Sequence, residues 1–338
     1  MPRADLPMRP ISYARATDVA DAIATVSADS ESAFLAGGTT EIDLLRQNVV
    51  RPSALVDISA LPLADVEELP GGGLRIGALA RMSDVAAAPV VAERFPVIAQ
   101  ALLLGASPQL RHMASMGGNL LQRTRCSYFR DALSPCNKRD PETGCSALHG
   151  VNRGHAILGT SDHCIATHPS DLAVALVALD AIVHTEGPSG KRAIAIEDFF
   201  LLPGDTPHIE HPLEHGELIV AIEIPALPIA RRSLYLKVRD RESYEFALAS
   251  VAVALEVADG VVTDARLALG GVATKPWRAR RAEQLVVGAA ATRASFALAA
   301  REELAGATPR RFNTFKVELA QRAIVRALES AVALNGAA

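Results

Sequence analysis

All four cysteines of this 338-residue chain, Cys126, Cys136, Cys145 and Cys164, fall in one stretch. Pro135, Pro141, Gly144, Gly150, Gly154 and Gly159 punctuate it, and apolar residues are few. Such a stretch predicts a long loop with no core of its own, and a long loop inside a compact protein usually carries function. Four soft thiols brought together select zinc or an iron–sulfur cluster. Zinc sites of four cysteines usually show paired CxxC knuckles, which are missing here. Paired disulfides suit small secreted chains. Residues 1–10 carry Arg3, Asp5 and Arg9 but no apolar run, so no signal peptide is expected. The chemistry ranks a cluster first, zinc second and no metal third.

Local charge favours thiolates. Arg123, Arg125, Arg130, Lys138 and Arg139 stand against Asp131 alone between residues 122 and 139. The same charges also suit a solvated or partner-facing surface. His112, His149, His155, His163 and His168 lie close by in sequence, and with four thiols present they are expected as surface or hydrogen-bonding residues.

The whole chain bounds the function further. Its length suggests two or three domains, and 49% apolar residues suffice for a sizeable core. A formal net charge of −4 offers no broad basic surface for nucleic acid or an anionic membrane. The apolar stretch 172–183 is too short to span a bilayer and contains Asp180.

Periodicity predicts an α+β protein. Thr17 is expected to cap a helix carrying Val19, Ala22, Ile23 and Val26, followed by a strand at 33–36, a turn at 37–40, a helix at 41–47 and a strand at 54–58. A strand at 74–78 and helices from Ser83 and over 95–104 come next. Ser170 is expected to cap a helix reaching residue 179, with strands at 181–184, 192–196 and 217–224. Strands at 233–239 and 247–257 then lead through Asp259-Gly260, a hairpin signal, to 262–269. Two or three helices close the chain, the last over 314–334. Strands followed by helices give the C-terminal unit an α+β character.

Two glycine pairs are candidate ligand loops. Leu35, Ala36, Gly37, Gly38, Thr39, Thr40, Glu41 and Ile42 run from a strand into a helix. Glycines let the backbone approach a ligand, and successive N–H groups there form an anion cradle suited to a pyrophosphate. The plainer reading is a tight turn with a threonine cap. Ser115-Met116-Gly117-Gly118-Asn119 offers further amides, a hydroxyl and a carboxamide, or simply a structural turn. Asp171, beside the cap Ser170, is placed to accept hydrogen bonds from hydroxyls of a ribityl chain.

In this order, AGGTTEIDLL, QLRHMASMGGNL, SDLAVALVALDA, EDFF, GELIVAIEIP and YLKVRDRESYEFALASVAVAL resemble the FAD subunit, or middle domain, of molybdenum hydroxylases of the xanthine dehydrogenase family. The resemblance covers almost the whole chain. It implies the two-subdomain FAD-binding fold shared with vanillyl-alcohol oxidase and carbon monoxide dehydrogenase, with subdomains at 1–62 and 63–227. A carbon monoxide dehydrogenase flavoprotein-like C-terminal domain follows at 228–338. The stretch LLQRTRCSYFRD, followed by PCNKRDPETGC, is similar to an insert of the FAD subunit of periplasmic aldehyde oxidoreductases and of 4-hydroxybenzoyl-CoA reductase. There the insert, here at about 122–168, holds a [4Fe–4S] cluster on four cysteines.

The resemblance implies that residues 35–42 wrap the FAD pyrophosphate. It also implies that Ala106, Ser115, Gly118 and Asn119 contact the cofactor, that Asp171 meets the ribityl side, and that Ile219 and Lys237 lie near the flavin. His112 stands where many relatives have Asn and inherits no role. The implied activity is electron transfer in a complex. A molybdopterin-binding large subunit oxidises an aldehyde or heterocycle, and a [2Fe–2S] small subunit passes electrons to FAD on this chain. The hard chemistry belongs to the cofactors, so no acid–base side chain is expected here. The competing reading is a stand-alone flavin oxidase with a structural zinc loop. Neither nucleic acid nor a membrane is an expected partner. The compartment is the periplasm, reached by export with a partner, or the cytoplasm. The flavin motifs lie outside the cysteine loop, so FAD is expected to be held independently of it.

Overall fold

A computed structural model describes residues 9–335; residues 1–8, most of the segment in which no signal peptide is expected, lie outside the described residues. The first unit is β1 (Ser12–Arg15), α1 (Val19–Ser27), β2 (Ser32–Leu35), α2 (Glu41–Arg46) and β3 (Ala54–Asp57). Its strands pair in parallel in the order β1-β3-β2. Parallel pairing needs crossovers, which α1 and α2 supply. The cap of α1 is Asp18 rather than Thr17: its carboxylate accepts from the Asp21 N–H at 2.9 Å. Thr17 instead donates its own N–H and hydroxyl to Asp21, closing the same turn from outside. β1 carries an exposed run with no hydrophobic alternation, which is why periodicity misses it.

The second unit contributes β4 (Val66–Glu68), β5 (Leu74–Gly77) and the helices α3 (Met82–Ala87), α4 (Pro89–Arg94), α5 (Pro96–Leu104), α6 (Pro108–Met113) and α7 (Met116–Leu120). After the cysteine loop come α9 (Asp171–Ala178), β6 (Ile182–Gly187), β7 (Gly190–Ala195), α10 (Ile196–Phe199) and β8 (Leu218–Ile224); α8 (Ser127–Arg130) lies in the loop itself. The sheet order is β4-β5-β8-β6-β7, antiparallel throughout. The second glycine pair is helix rather than turn. Ser115 caps α7 by accepting from the Gly118 N–H, and Gly117 fits tightly over Ala78.

Every residue of α9 is buried. A helix apolar on all sides has to sit at the centre, and α9 packs against α5, β10 (Ala249–Ala258) and β11 (Val261–Gly270). Each fully buried Leu or Val there contributes roughly 1.5–3 kcal/mol of transfer free energy.

The C-terminal unit is a second antiparallel sheet, β12-β11-β10-β9, with β9 at Ser233–Val238 and β12 at Trp277–Arg278. The helices α11 (Arg280–Val286), α12 (Arg293–Glu303) and α13 (Phe315–Asn335) cover one face. The other face meets the second unit, where Tyr235, Ala252 and Ala268 join its core. The architecture is α+β, as the periodicity predicts.

Between α7 and α9 the chain forms turns, bends and isolated bridges around α8, among them a bridge between Cys136 and Cys145. Its second half is stitched into the C-terminal unit. Ile157 and Leu158 donate to the Val272 carbonyl, and both side chains join the C-terminal core. Lys316, fully buried on α13, donates to the carbonyls of Gly154, His155 and Gly271 at 3.0, 3.0 and 2.7 Å. Three acceptors match the three N–H bonds of an ammonium group.

Candidate functional site

The first glycine turn lies where β2 ends and α2 begins. Gly38 has φ +70°, a left-handed conformation that glycine adopts freely. At Gly37 a Cβ would stand 2.0 Å from the Met113 carbonyl oxygen, so only glycine lets this turn close on the segment entering α7. The two glycine pairs therefore meet. Among the described residues no protein acceptor meets the backbone N–H of Gly37, Gly38, Thr39, Thr40 or Glu41. Thr40 occupies the cap position of α2 without using its side chain to cap it. Unpaired successive amides form a concavity for an anion.

Two cavities meet there, sharing Thr39, Thr40 and Gly118. One, of about 200 Å³, is lined by Ala36, Gly37, Gly38, Glu41, Ser115 and Ile219, among others. The other, of about 220 Å³, reaches past Ala106, Asn119, Asp171 and Lys237. Of the residues singled out from sequence, Leu35 and Ile42 are not in the lining, and Ile42 is 42% exposed.

The polar groups of the second cavity are held rigidly. The Asn119 carboxamide oxygen accepts from the Ser170 hydroxyl at 2.5 Å and from the Gln122 side chain at 3.0 Å. Ser170 in turn caps α9 at the Ala173 N–H. Asp171 is buried; it accepts from Lys237 Nζ at 2.7 Å and the Tyr235 hydroxyl at 2.8 Å. Burial pushes its carboxyl pKa up, and these two partners oppose that shift. Ala106 takes φ +50° without being glycine, a strained conformation of the kind that gathers at ligand sites.

Arg125, Arg241, Tyr244, Glu245 and Phe246 also line this cavity and were not expected from sequence. Four of them sit on the β9–β10 connection, where clustered charge and aromatics between two strands were the available signal. The Arg125 guanidinium stacks over Phe246 at 5.0 Å.

All four cysteines line one pocket of about 10 Å³, together with Tyr128, Phe129, Asn137, Lys138 and His163. None is in a disulfide. Burial pushes the Cys126 thiol up to about 12 and the Cys164 thiol up to about 11, and raises Cys136 as well. Backbone amides oppose this: those of Phe129 and Tyr128 at Cys126, those of Arg139 and Lys138 at Cys136, and that of Ala166 at Cys164 at 3.4 Å. The Lys138 charge also favours the Cys164 thiolate. Among the described residues no three His, Cys, Asp or Glu side chains are arranged to hold a single metal ion.

His155 Nε2 lies 3.2 Å from Cys126 Sγ, and burial pushes its imidazole down to about 4, so it is neutral. The loop cations have partners within the chain. Arg123 and Lys138 both pair with Glu210 at 2.6 and 2.8 Å, and Arg125 and Arg130 pair with Asp43. Arg139 donates to the carbonyls of Tyr128, Phe129 and Asp131.

The family described as FAD binding domain in molybdopterin dehydrogenase matches residues 9–227, and the CO dehydrogenase flavoprotein C-terminal domain matches residues 234–331. The chain is 47% identical over 326 residues to the aldehyde oxidoreductase FAD-binding subunit PaoB of Escherichia coli, covering 96% of this chain and 99% of the other. It is 27% identical to the carbon monoxide dehydrogenase medium chain of Hydrogenophaga pseudoflava, covering 89% and 90%. Among solved structures, quinoline 2-oxidoreductase from Pseudomonas putida 86 superposes with a TM-score of 0.76 at 23% identity, over 98% of this chain and 99% of that one, which speaks for the fold.

Proposed function

The chain belongs to the family of FAD-binding subunits of molybdenum hydroxylases, and from that membership we propose that it is the FAD- and [4Fe–4S]-carrying electron-transfer subunit of a heteromeric molybdenum-dependent aldehyde oxidoreductase. The observation that carries this reading is the likeness to an aldehyde oxidoreductase FAD-binding subunit along nearly the full length of both chains. FAD binding and the oxidoreductase class go with the family itself. The substrate class, the cluster and the route of the electrons are the proposal. That route runs from [2Fe–2S] centres of a small partner to FAD on this chain and on to an external acceptor, with a molybdopterin-binding large partner acting on the aldehyde. The domain division that goes with it is 1–62, 63–227 with the insert at about 122–168, and 228–338.

The residues present fit a flavin dinucleotide. The amides of Gly37 to Glu41 lack protein acceptors and suit a pyrophosphate. Ser115, Gly118 and Asn119 line the waist of the cleft, and Asp171 keeps its carboxylate oriented through Lys237 and Tyr235 to receive ribityl hydroxyls. Ala106 and Lys237 flank that lobe and Ile219 gives the other an apolar wall. Tyr244 and Phe246, with Arg125 stacked on the latter, form an aromatic flank of the same lobe. Bound FAD supplies the capacity to take up electrons singly and release them in pairs.

The donor set at the cysteine pocket suits a cluster, which would have to widen the space between the thiols. Its four thiols surround one space, amides donate to three of the sulfurs, and lysine and arginine charges stand beside them. Such donors and charges stabilise thiolates and set a cluster's potential. Among the described residues no helix is long and apolar enough to cross a membrane. The compartment follows the partners: the periplasm by co-export, or the cytoplasm.

Metal and flavin analysis of the complex purified without oxygen tests the reading. Separated from its partners, this chain should carry FAD and about four iron atoms. Cys136→Ser should remove that iron. Stoichiometric zinc without iron would overturn the cluster, and aldehyde oxidation by the isolated chain without molybdenum would overturn the role of the partners.

A further inference from the structure

We propose that Asp43 is a positioning residue that ties the flavin cradle to the cysteine loop, so that FAD is held more tightly when the loop is ordered by its metal centre. This rests on the reading just given. The cradle amides lead directly into α2, a helix of six residues. A helix that short does not hold itself in water and takes its order from packing. Among the described residues no helix or strand packs extensively along α2.

The cysteine loop supplies that packing on two sides. Leu44 of α2 is fully buried in a small apolar cluster with Val49, Phe129 and Cys136, against which Cys126 also packs. The same Leu44 lines the pyrophosphate lobe of the cleft. On the other side, the Asp43 carboxylate accepts from Arg125 Nη1 at 3.0 Å and from Arg130 Nη1 at 2.6 Å. Those two arginines bracket Cys126: Arg125 precedes it, and Arg130 ends the helix that Cys126 begins. Gln47, one residue past α2, donates to Asp43 at 3.1 Å and accepts from Arg130 at 3.3 Å. Cys126 and Cys136 are thus two candidate cluster ligands and two walls of the seat in which α2 rests.

A metal centre that pins these cysteines fixes the seat, and with it the amides facing the pyrophosphate. Without it, ordering α2 becomes part of the cost of binding FAD. The separation of the flavin motifs from the loop along the sequence conceals this contact, because Asp43 and Arg130 are 87 positions apart.

The test uses the intact complex. Iron is stripped anaerobically with a chelator, and its loss from this chain is counted after separation from the [2Fe–2S] partner. FAD is removed, and FAD rebinding to the complex is followed by the quenching of its fluorescence with and without iron in this chain. The expected result is an FAD affinity about tenfold weaker in the stripped complex, the scale on which contacting groups couple. Asp43→Asn should keep its iron, bind FAD about tenfold more weakly at the outset, and lose little more when iron is stripped. Asp43→Glu, which retains the carboxylate, should restore most of the difference. If Asp43→Asn does not assemble, the comparison of stripped and intact parent still decides. An iron-containing parent whose FAD affinity ignores iron removal overturns the inference and leaves the functional reading standing. A parent in which this chain, separated from its partners, carries no iron overturns both.

Discussion

Around the flavin cleft the chain is fixed by regular elements, and around the cysteine pocket it is not. The cleft lies at the ends of β2, α7, α9 and β9, whose own hydrogen bonds and buried faces place Gly38, Asn119, Asp171 and Lys237. The pocket lies in a stretch whose one helix has four residues, and its shape is held from within by Arg139 and from outside by Glu210 and Lys316. In the cleft, local sequence decides most of the geometry, α2 excepted, whose seat the cysteine loop supplies. In the pocket the thiols face one small space where burial makes them costly to ionise, and a bound metal would relieve that cost.

The sharpest way to break the cleft alone is Gly37→Ala. Its methyl group would have to displace the Met113 carbonyl, which is backbone and cannot rotate away. Overpacking of this kind costs about 3 kcal/mol, so FAD affinity should fall roughly a hundredfold while iron in the loop stays near the parental level. Flavin and iron counts on the same sample check this. Full FAD occupancy would remove the first glycine turn from the site.

Lys316→Met attacks the pocket from the opposite end of the chain. Three carbonyls, that of His155 buried and the other two partly so, lose their donor, which should cost about 2 kcal/mol of stability. The loss should appear as easier release of iron to a chelator, with FAD affinity falling less than in Gly37→Ala. Equal release rates in variant and parent would mean that α13 does not brace the loop.

Glu210 spans the two regions, because Arg123 lines the cleft and Lys138 lines the pocket. Burial alone would raise its carboxyl pKa, but the two cations hold it at about 2, below its ordinary 4.5. A carboxyl lowered by folding contributes stability that is complete above about pH 4.5 and is lost as pH falls towards 2. The contribution is about 2 kcal/mol after allowance for partial exposure. Glu210→Gln should lower stability at neutral pH and flatten the acid limb of a denaturation series. An unchanged acid limb would assign that limb to other carboxylates.

The same contrast governs what could be read from the sequence. The strand–glycine–helix pattern at 35–42 was legible because conformation there is set by neighbours in the chain. Ser170 was legible as a cap for the same reason, whereas the cap of α1 was misplaced by one residue, since Thr17 and Asp18 are both capping types and the choice rests on a side-chain bond to Asp21. The second glycine pair was legible as important but not as helix: glycine disfavours helices, and here the tight fit of Gly117 over Ala78 outweighs that preference. The Tyr244–Phe246 flank of the cleft and the seat of α2 were not legible, because each exists only once residues far apart in sequence are brought together. Within the pocket, sequence identified the thiols and the local cations, but not that those cations are consumed by Asp43 and Glu210.

Gly154 and Lys316 are 162 positions apart, which sets an order of events during synthesis. A ribosome adding several residues each second exposes the cysteines on the order of ten seconds before the lysine that braces their loop exists. During that interval the carbonyls of Gly154 and His155 lack the donor that braces the loop. Once α13 docks, Lys316 fixes the loop through the carbonyls of Gly154 and His155. On the reading proposed above, filling this pocket is therefore a matter of timing as well as of affinity, because the brace from the final helix is the last part of the loop's surroundings to be made.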